Sequence, residues 1–414
     1  MYRHRVTRNA AALAAIQLVS YAANFLVLFR LTHVLGIQTY GIVAFSVGIV
    51  QVLSVVLDLG FTMSATQRIA MHRGRRGFVA RLSGAVLLLK FGAFIVGACV
   101  VTVYAEVTVK YAAYSPLLLL TPLPLLGHSL QPLWLFLGIE RMRFVTAFVV
   151  VAKLSYVAMV WLLVTREADY LWVPVADGTA QLAAAALALW LAVKAGYRIT
   201  LPRLRELRYA LRMTSGFFVS RLSASAYSYS GVVIMGFVAD ASAIAAYSLA
   251  EQLYRAMHAL FSPIVQSLYP YMAREHDIKL LLRVALGCAG VALLGGVTAH
   301  FLAPRPLIAI FGAHWAVALP ILDIFLFAIT VHVLAMMCSY PLAAALDRAD
   351  VANSSVNYGA LLYIVGAGLL LLAGRSTAAR LAWLMVVSEA YVLTHCALLL
   401  FPSANRLRLQ QLAG

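Results

Sequence analysis

Arg221, Glu251 and Arg255 are charged residues set inside apolar stretches, within the segment Thr214–Met272. A charge at mid-membrane costs about 3 kcal/mol or more, so such residues face protein or water and mark pathways. Ser and Tyr surround them at helical spacing. Ser220, Ser223, Tyr227 and Ser230 step by three and four residues and form one ridge, with Arg221, Ser225 and Ser228 beside it. After the turn at Asp240-Ala-Ser, a second ridge carries Tyr247, Glu251, Tyr254, Arg255, His258 and Ser262. Guanidinium groups fit phosphate oxygens bidentately, and Ser and Tyr hydrogen-bond sugar hydroxyls. This cationic, hydroxyl-rich, aromatic wall suits an amphiphilic anionic sugar-lipid. The plainer alternative is that Glu251 and Arg255, at i and i+4, form a buried pair that only locks two helices together.

These ridges need long apolar helices to hold them. Of the 414 residues, 63% are hydrophobic and only 11% charged, and apolar runs of about 20 residues recur along the whole chain. A soluble protein could not keep that much apolar surface in water. The chain is therefore expected to be an all-α polytopic membrane protein. The net charge of +17 could suggest nucleic acid, but the basic residues fall in short loops, where they set insertion orientation instead. Cys99, Cys288, Cys338 and Cys396 lie in apolar spans without CxxC spacing, so packing is their expected role, and neither a disulfide framework nor a metal site is expected.

In chain order, the first span, after Arg3, Arg5 and Arg8, carries a polar stripe of Gln17, Ser20, Tyr21 and Asn24 that suits a cavity wall. The second carries Gln51, Ser54 and Asp58, the third Lys90. The fourth contains Pro116, Pro122, Pro124 and Pro132 and should be kinked or broken. Lys153 lies in the fifth, Asp177 and Gln181 in the sixth. The basic connector Tyr197–Arg212 divides the chain near its midpoint and is amphipathic enough to lie on an anionic leaflet. Residues 1–196, 197–212 and 213–414 are thus expected to be an N-terminal bundle, a cytoplasmic connector and a C-terminal bundle. Beyond the ridges, Pro304–Pro320 is expected to be an outer loop in the interface, holding His314 and Trp315. Asp323 and His332 fall in span ten, Glu389 and His395 in span twelve.

Placing 22 of the 32 Lys and Arg residues on the cytoplasmic side gives twelve spans with both termini inside. Gly41–Ser46 and Ala243–Ser248 align without gaps, and the same offset superposes span one on span seven. Parallel repeats about an axis along the membrane normal, with a site between halves, would follow. Catalytic signatures such as GxGxxG, a P-loop, HExxH or paired loop carboxylates are absent from the sequence, so no catalytic residue, cofactor or metal is expected. His128, His258, His332 and His395 read as singletons on separate spans, each a packing residue or, alternatively, a proton carrier.

The motif Val34-Leu-Gly-(x3)-Tyr40-Gly41, followed by Asp58-Leu-Gly-Phe-Thr-Met-Ser64-Ala-Thr-Gln-Arg68-Ile-Ala70, resembles the N-terminal signature of Wzx-like oligosaccharide-lipid flippases of the multidrug/oligosaccharidyl-lipid/polysaccharide exporter superfamily. Pro132–Glu140, Tyr247–Gln252 with Ser262-Pro-Ile and Tyr269-Pro, and Phe311-Gly-Ala-His-Trp315 agree in order along most of the chain. The resemblance implies two six-helix bundles related by a pseudo-two-fold around a central cleft. It also implies transfer of a polyprenyl-diphosphate-linked oligosaccharide from the inner to the outer leaflet of the bacterial plasma membrane, for O-antigen, capsule or exopolysaccharide assembly. A polysaccharide polymerase and a chain-length regulator would be partners. The family often has Lys where Gln252 stands, so a cationic role there would pass to Arg255 or Arg221.

The expected substrate-binding residues are Arg221, Arg255, Tyr227, Ser223, Tyr254, Asn24 and Gln17. Glu251, Asp58 and Asp323 are the expected coupling residues, unless each merely satisfies a neighbouring cation or hydroxyl. Within transport, the rival is a multidrug exporter of the same superfamily, whose cavity should be acidic. From another class, the rival is a membrane enzyme of polysaccharide assembly, such as a polymerase or ligase. That enzyme usually needs a large catalytic outer loop, and the longest one here has about 17 residues.

Overall fold

A chain that crosses lipid must satisfy its backbone N–H and C=O groups internally, and a helix does this locally. The computed structural model obeys that constraint: among the described residues all regular structure is helical, without a strand. It describes the backbone of residues 2–413 and the side chains of residue 17, residues 19–214 and residues 230–402. The chain folds as two compact units, Met1–Leu222 and Ser223–Gly414.

The first unit begins with α1 (Tyr2–Val34), α2 (Ile37–Asp58), α3 (Phe61–Met71) and α4 (Arg76–Val107). Span four is in pieces: a 3-10 turn at Val109–Tyr114, then α5 (Ser115–Leu120), α6 (Pro122–Leu130) and α7 (Leu133–Gly138). Proline lacks the N–H that an inner turn needs, so Pro116 and Pro122 sit in the first turns of α5 and α6. Next come α8 (Met142–Leu163), α9 (Trp172–Lys194) and α10 (Leu204–Val238), which runs on into the second unit. Phe61, Ile69, Trp134, Phe136 and Phe148 form the centre of this unit's core. Between α6 and α9, a Cβ on Gly127 would overlap the Gln181 side chain, and one on Gly178 would overlap Leu123. Only glycine permits this helix contact.

The second unit adds α11 (Ala241–Glu275), α12 (Ile278–Leu302), α13 (Pro304–Phe311), α14 (Leu319–Ala345), α15 (Ala349–Leu372) and α16 (Ala378–Ala413). Apolar all round, α14 is the central helix and packs against α11, α12 and α16. The expected outer loop Pro304–Pro320 is structured instead: α13 and a 3-10 turn at Ala313–Ala318 bury Trp315 completely. The amphipathic spacing of Leu307 and Phe311 explains the helix, since both are buried beneath it.

Among the described residues, nine helical segments are long and apolar enough to cross a membrane. Helices α1, α10 and α11 are 33, 35 and 35 residues long, so they also have the length to cross. Among the described residues α1 contributes the shorter apolar stretch Val19–Val34, while Ser, Tyr, Gln and charged residues recur along α11. The twelve-helix, all-α fold is thus the one the sequence implies.

Candidate functional site

The most buried polar assembly lies within the second unit, where α11, α14 and α16 meet. Helix α11 places Tyr247, Glu251, Tyr254, Arg255 and His258 on adjoining faces of three turns. Glu251 is 3% exposed, and its Oε2 lies 3.0 Å from Nη2 of Arg255. The pair is thus formed, with the Arg255 side chain one third exposed. Tyr254 is buried, its ring stacked on Phe325 of α14 at 5.1 Å, and Tyr247 meets the same phenyl edge-on at 5.6 Å.

One turn further along, two of the four histidines expected to be singletons, His258 and His332, are neighbours. The rings of His258 and His332 lie 4.6 Å apart, and Nδ1 of His332 is 2.6 Å from Oε1 of Glu389 on α16. Glu389 is almost fully buried. Two polar atoms here, Tyr254 Oη and His332 Nε2, are buried without a hydrogen-bond partner among the described residues, an arrangement native proteins seldom leave idle. In the sequence His332 and Glu389 fall on spans ten and twelve, 57 residues apart, and their spacing alone does not join them. The signal was there only as a titratable residue on each of two helices that have to find neighbours. Elsewhere, His395 Nδ1 pairs with Ser355 at 2.7 Å, while its ring stacks on Tyr391.

In the first unit, the Asp58-Leu-Gly motif has a structural explanation. Leu59 and Gly60 both take left-handed backbone conformations, which break α2 from α3. Asp58 then accepts hydrogen bonds from the Thr62 N–H at 3.1 Å and the Thr62 hydroxyl at 2.8 Å, capping α3. Its Oδ1 also lies 3.4 Å from Lys90 Nζ, inside the protein. Lys90 further donates to the His128 carbonyl at 3.4 Å and stands 4.8 Å from the Trp134 ring centre. Separately, Lys153 donates to Asn24 at 3.1 Å, and Gln131 donates to Gln181, which donates to Asp177.

The expected site residues therefore lie as follows. Arg255, Tyr254 and Glu251 are together on α11. Asn24 is exposed and held by Lys153, while Gln17 is half-buried on α1. Asp58 is buried with Lys90, and Asp323 is half-exposed, 2.8 Å from His300. Arg221, Ser223 and Tyr227 lie on α10, with side chains outside the described residues. Among the described residues no cluster of His, Cys, Asp or Glu could hold a metal ion.

The sequence model of the polysaccharide biosynthesis protein family matches residues 6–276. The chain belongs to that family. A candidate O-antigen transporter of Escherichia coli (strain K12) is 25% identical over 296 residues, covering 70% of this chain and 71% of that protein. A second from Shigella dysenteriae is 25% identical over 311 residues, 72% and 76% of the two chains. In fold, the chain is similar to the lipid II flippase MurJ in an inward closed conformation. The TM-score is 0.74, with 12% identity over 95% of this chain and 87% of that one. It is similar also to an inward-facing multidrug resistance MATE family transporter of the MOP superfamily. There the TM-score is 0.71, with 13% identity over 95% and 99%. The family and fold suggested by the motifs are thus borne out.

Proposed function

We propose that this protein is a flippase that carries a polyprenyl-diphosphate-linked oligosaccharide from the cytoplasmic to the periplasmic leaflet of a bacterial inner membrane by alternating access. The observation that carries this reading is the polysaccharide biosynthesis family match over residues 6–276, on a chain whose described residues include nine helical segments long and apolar enough to cross a membrane. The O-antigen transporter relatives support the same substrate class. Arg221 and Arg255 are the proposed diphosphate ligands. Ser223, Tyr227, Tyr254, Asn24 and Gln17 are the proposed sugar contacts, and the polyprenyl tail stays in lipid. A polysaccharide polymerase and a chain-length regulator are the proposed partners downstream.

The multidrug reading fits the charges less well. Asp58, Glu251, Asp323 and Glu389 each already face a Lys, Arg or His, which leaves Asp177, bonded to Gln181, as the one carboxylate of these polar stripes without an ion pair among the described residues. Reconstituted protein with a fluorescent lipid-linked oligosaccharide tests the proposal, together with deletion of the gene. The expected result is protein-dependent loss of the lipid from the donor leaflet, and its accumulation on the cytoplasmic leaflet after deletion. Normal surface glycan after deletion, with lost efflux of organic cations, would favour the exporter.

For coupling, Glu251, Asp58 and Asp323 remain the proposed carboxylates. Normal transport across a pH gradient by Glu251→Gln, Asp58→Asn and Asp323→Asn alike would remove all three.

A further inference from the structure

At one end of the first unit, the first turns of α4 and α10 enclose a cavity of about 590 Å³, a size typical of small-ligand sites. Arg81 lines it from α4; Arg203, Arg205, Glu206 and Tyr209 line it from the connector and α10; Phe78 forms part of its floor. The cavity exists because the connector presses onto α4. A Cβ on Gly84 would overlap the Thr200 carbonyl oxygen, so only glycine admits that approach. Glu206 fixes the geometry with both oxygens: Oε1 is 2.8 Å from Arg81 Nε, and Oε2 accepts the Arg203 N–H at 2.8 Å. Tyr209 is held edge-to-face against Phe78, with Arg68 6.0 Å above its ring.

One carboxylate is set among three guanidinium groups, so the cavity keeps a net positive charge. Arg203 and Arg205 have no carboxylate partner among the described residues. Arginine forks match phosphate oxygens, and the amino ends of α4 and α10 add partial positive charge nearby. The surroundings say where the phosphate comes from. Leu201 and Leu204 alternate with these arginines and are 92% and 64% exposed, which is costly in water but natural in a bilayer's headgroup boundary. The cavity also sits at the ends of two membrane-length helices, the depth at which lipid phosphates lie.

We infer that this cavity binds the phosphodiester headgroup of an anionic glycerophospholipid, with Arg203 and Arg205 on the phosphate and Leu201 and Leu204 among the upper acyl chains. It goes beyond the transported substrate: the ligand is a resident lipid of the adjacent leaflet.

The test uses the full chain in neutral detergent, with native mass spectrometry to count retained lipid and thermal unfolding to read its effect. Phosphatidylglycerol, phosphatidylcholine, polyprenyl diphosphate and inorganic phosphate are the probes. Phosphatidylglycerol, but not phosphatidylcholine, should be retained and should raise the melting temperature. Arg203→Ala/Arg205→Ala should weaken phosphatidylglycerol binding at least tenfold, with melting in phosphatidylcholine unchanged. Arg375→Ala/Arg380→Ala, with the same charge loss elsewhere, should change it less than twofold. Equal affinity in the connector variant would overturn the inference, as would an equal loss in the control. Protection by inorganic phosphate at matched concentration would mean a soluble-anion site instead. Binding of polyprenyl diphosphate alone through Arg203 and Arg205 would assign the cavity to the transported carrier, again overturning it. None of these outcomes depends on whether export itself is observed.

Discussion

His332 on α14 and Glu389 on α16 meet at 2.6 Å, with the ring of His258 on α11 4.6 Å from the same imidazole. Three helices of the second unit are thereby joined through buried titratable groups, one turn from the Glu251–Arg255 pair. Removal of either partner leaves the other buried and uncompensated. His332→Gln and Glu389→Gln should each lower stability. The double variant should lose less than the sum, with a coupling energy of about 0.5–3 kcal/mol. Chemical unfolding in lipid–detergent micelles measures it, and additive losses would show that the two side chains do not interact.

Asp58 and Lys90 allow a different comparison, because Asp58 also caps α3. Lys90→Met strands a buried carboxylate and should cost about 3–5 kcal/mol. Asp58→Asn keeps a cap but strands the ammonium, at a similar cost. Lys90→Met/Asp58→Asn should be more stable than either single variant, since neither charge then remains unpaired. If the double variant unfolds earliest by urea titration, the ion pair itself is the source of stability.

Much of this architecture can be read from the residues. Helix-long apolar runs dictate an all-α membrane fold, the prolines of span four dictate its breaks, and Glu251–Arg255 is legible because i,i+4 spacing is local. Pairings across helices are not legible in the same way. The 3.6-residue period assigns Lys90, His332 and Glu389 to a face of a helix but not to the helix they meet. That is why the spacing offers Asp58 either as a coupling residue or as the partner of some cation or hydroxyl, without naming Thr62 or Lys90 as the groups it meets. Trp315 shows the converse error: a proline-flanked stretch read as loop conceals an amphipathic turn that buries an indole.

Orientation follows from where the basic residues fall. Arg75 and Arg205 lie in the most basic segments and are expected on the cytoplasmic side. In a variant lacking Cys99, Cys288, Cys338 and Cys396, Arg75→Cys and Arg205→Cys should resist an impermeant thiol reagent in intact cells and react after lysis. Labelling of either position in intact cells would reverse the topology.

Arg255 serves two possible masters, Glu251 and a substrate diphosphate, and the 3.0 Å ion pair makes the obvious variant ambiguous. Arg255→Ala leaves Glu251, 3% exposed, as an unpaired buried charge and should destabilise the protein by about 3–5 kcal/mol whatever its role in transport. Neutralising both groups removes that complication. Glu251→Gln/Arg255→Ala should reach the membrane in normal amounts, because no charge is stranded, yet lose export if Arg255 grips the diphosphate. Arg255→Lys keeps charge but loses the planar fork and should be intermediate. Arg221, which has no acidic residue within four positions on either side, offers the simpler case: Arg221→Ala should abolish export and Arg221→Lys should retain part of it. Membrane abundance by immunoblot and accumulated lipid-linked oligosaccharide by mass spectrometry separate folding from transport. Normal export by Glu251→Gln/Arg255→Ala would make Arg255 a helix-locking residue. Normal export by Arg221→Ala as well would place the diphosphate elsewhere.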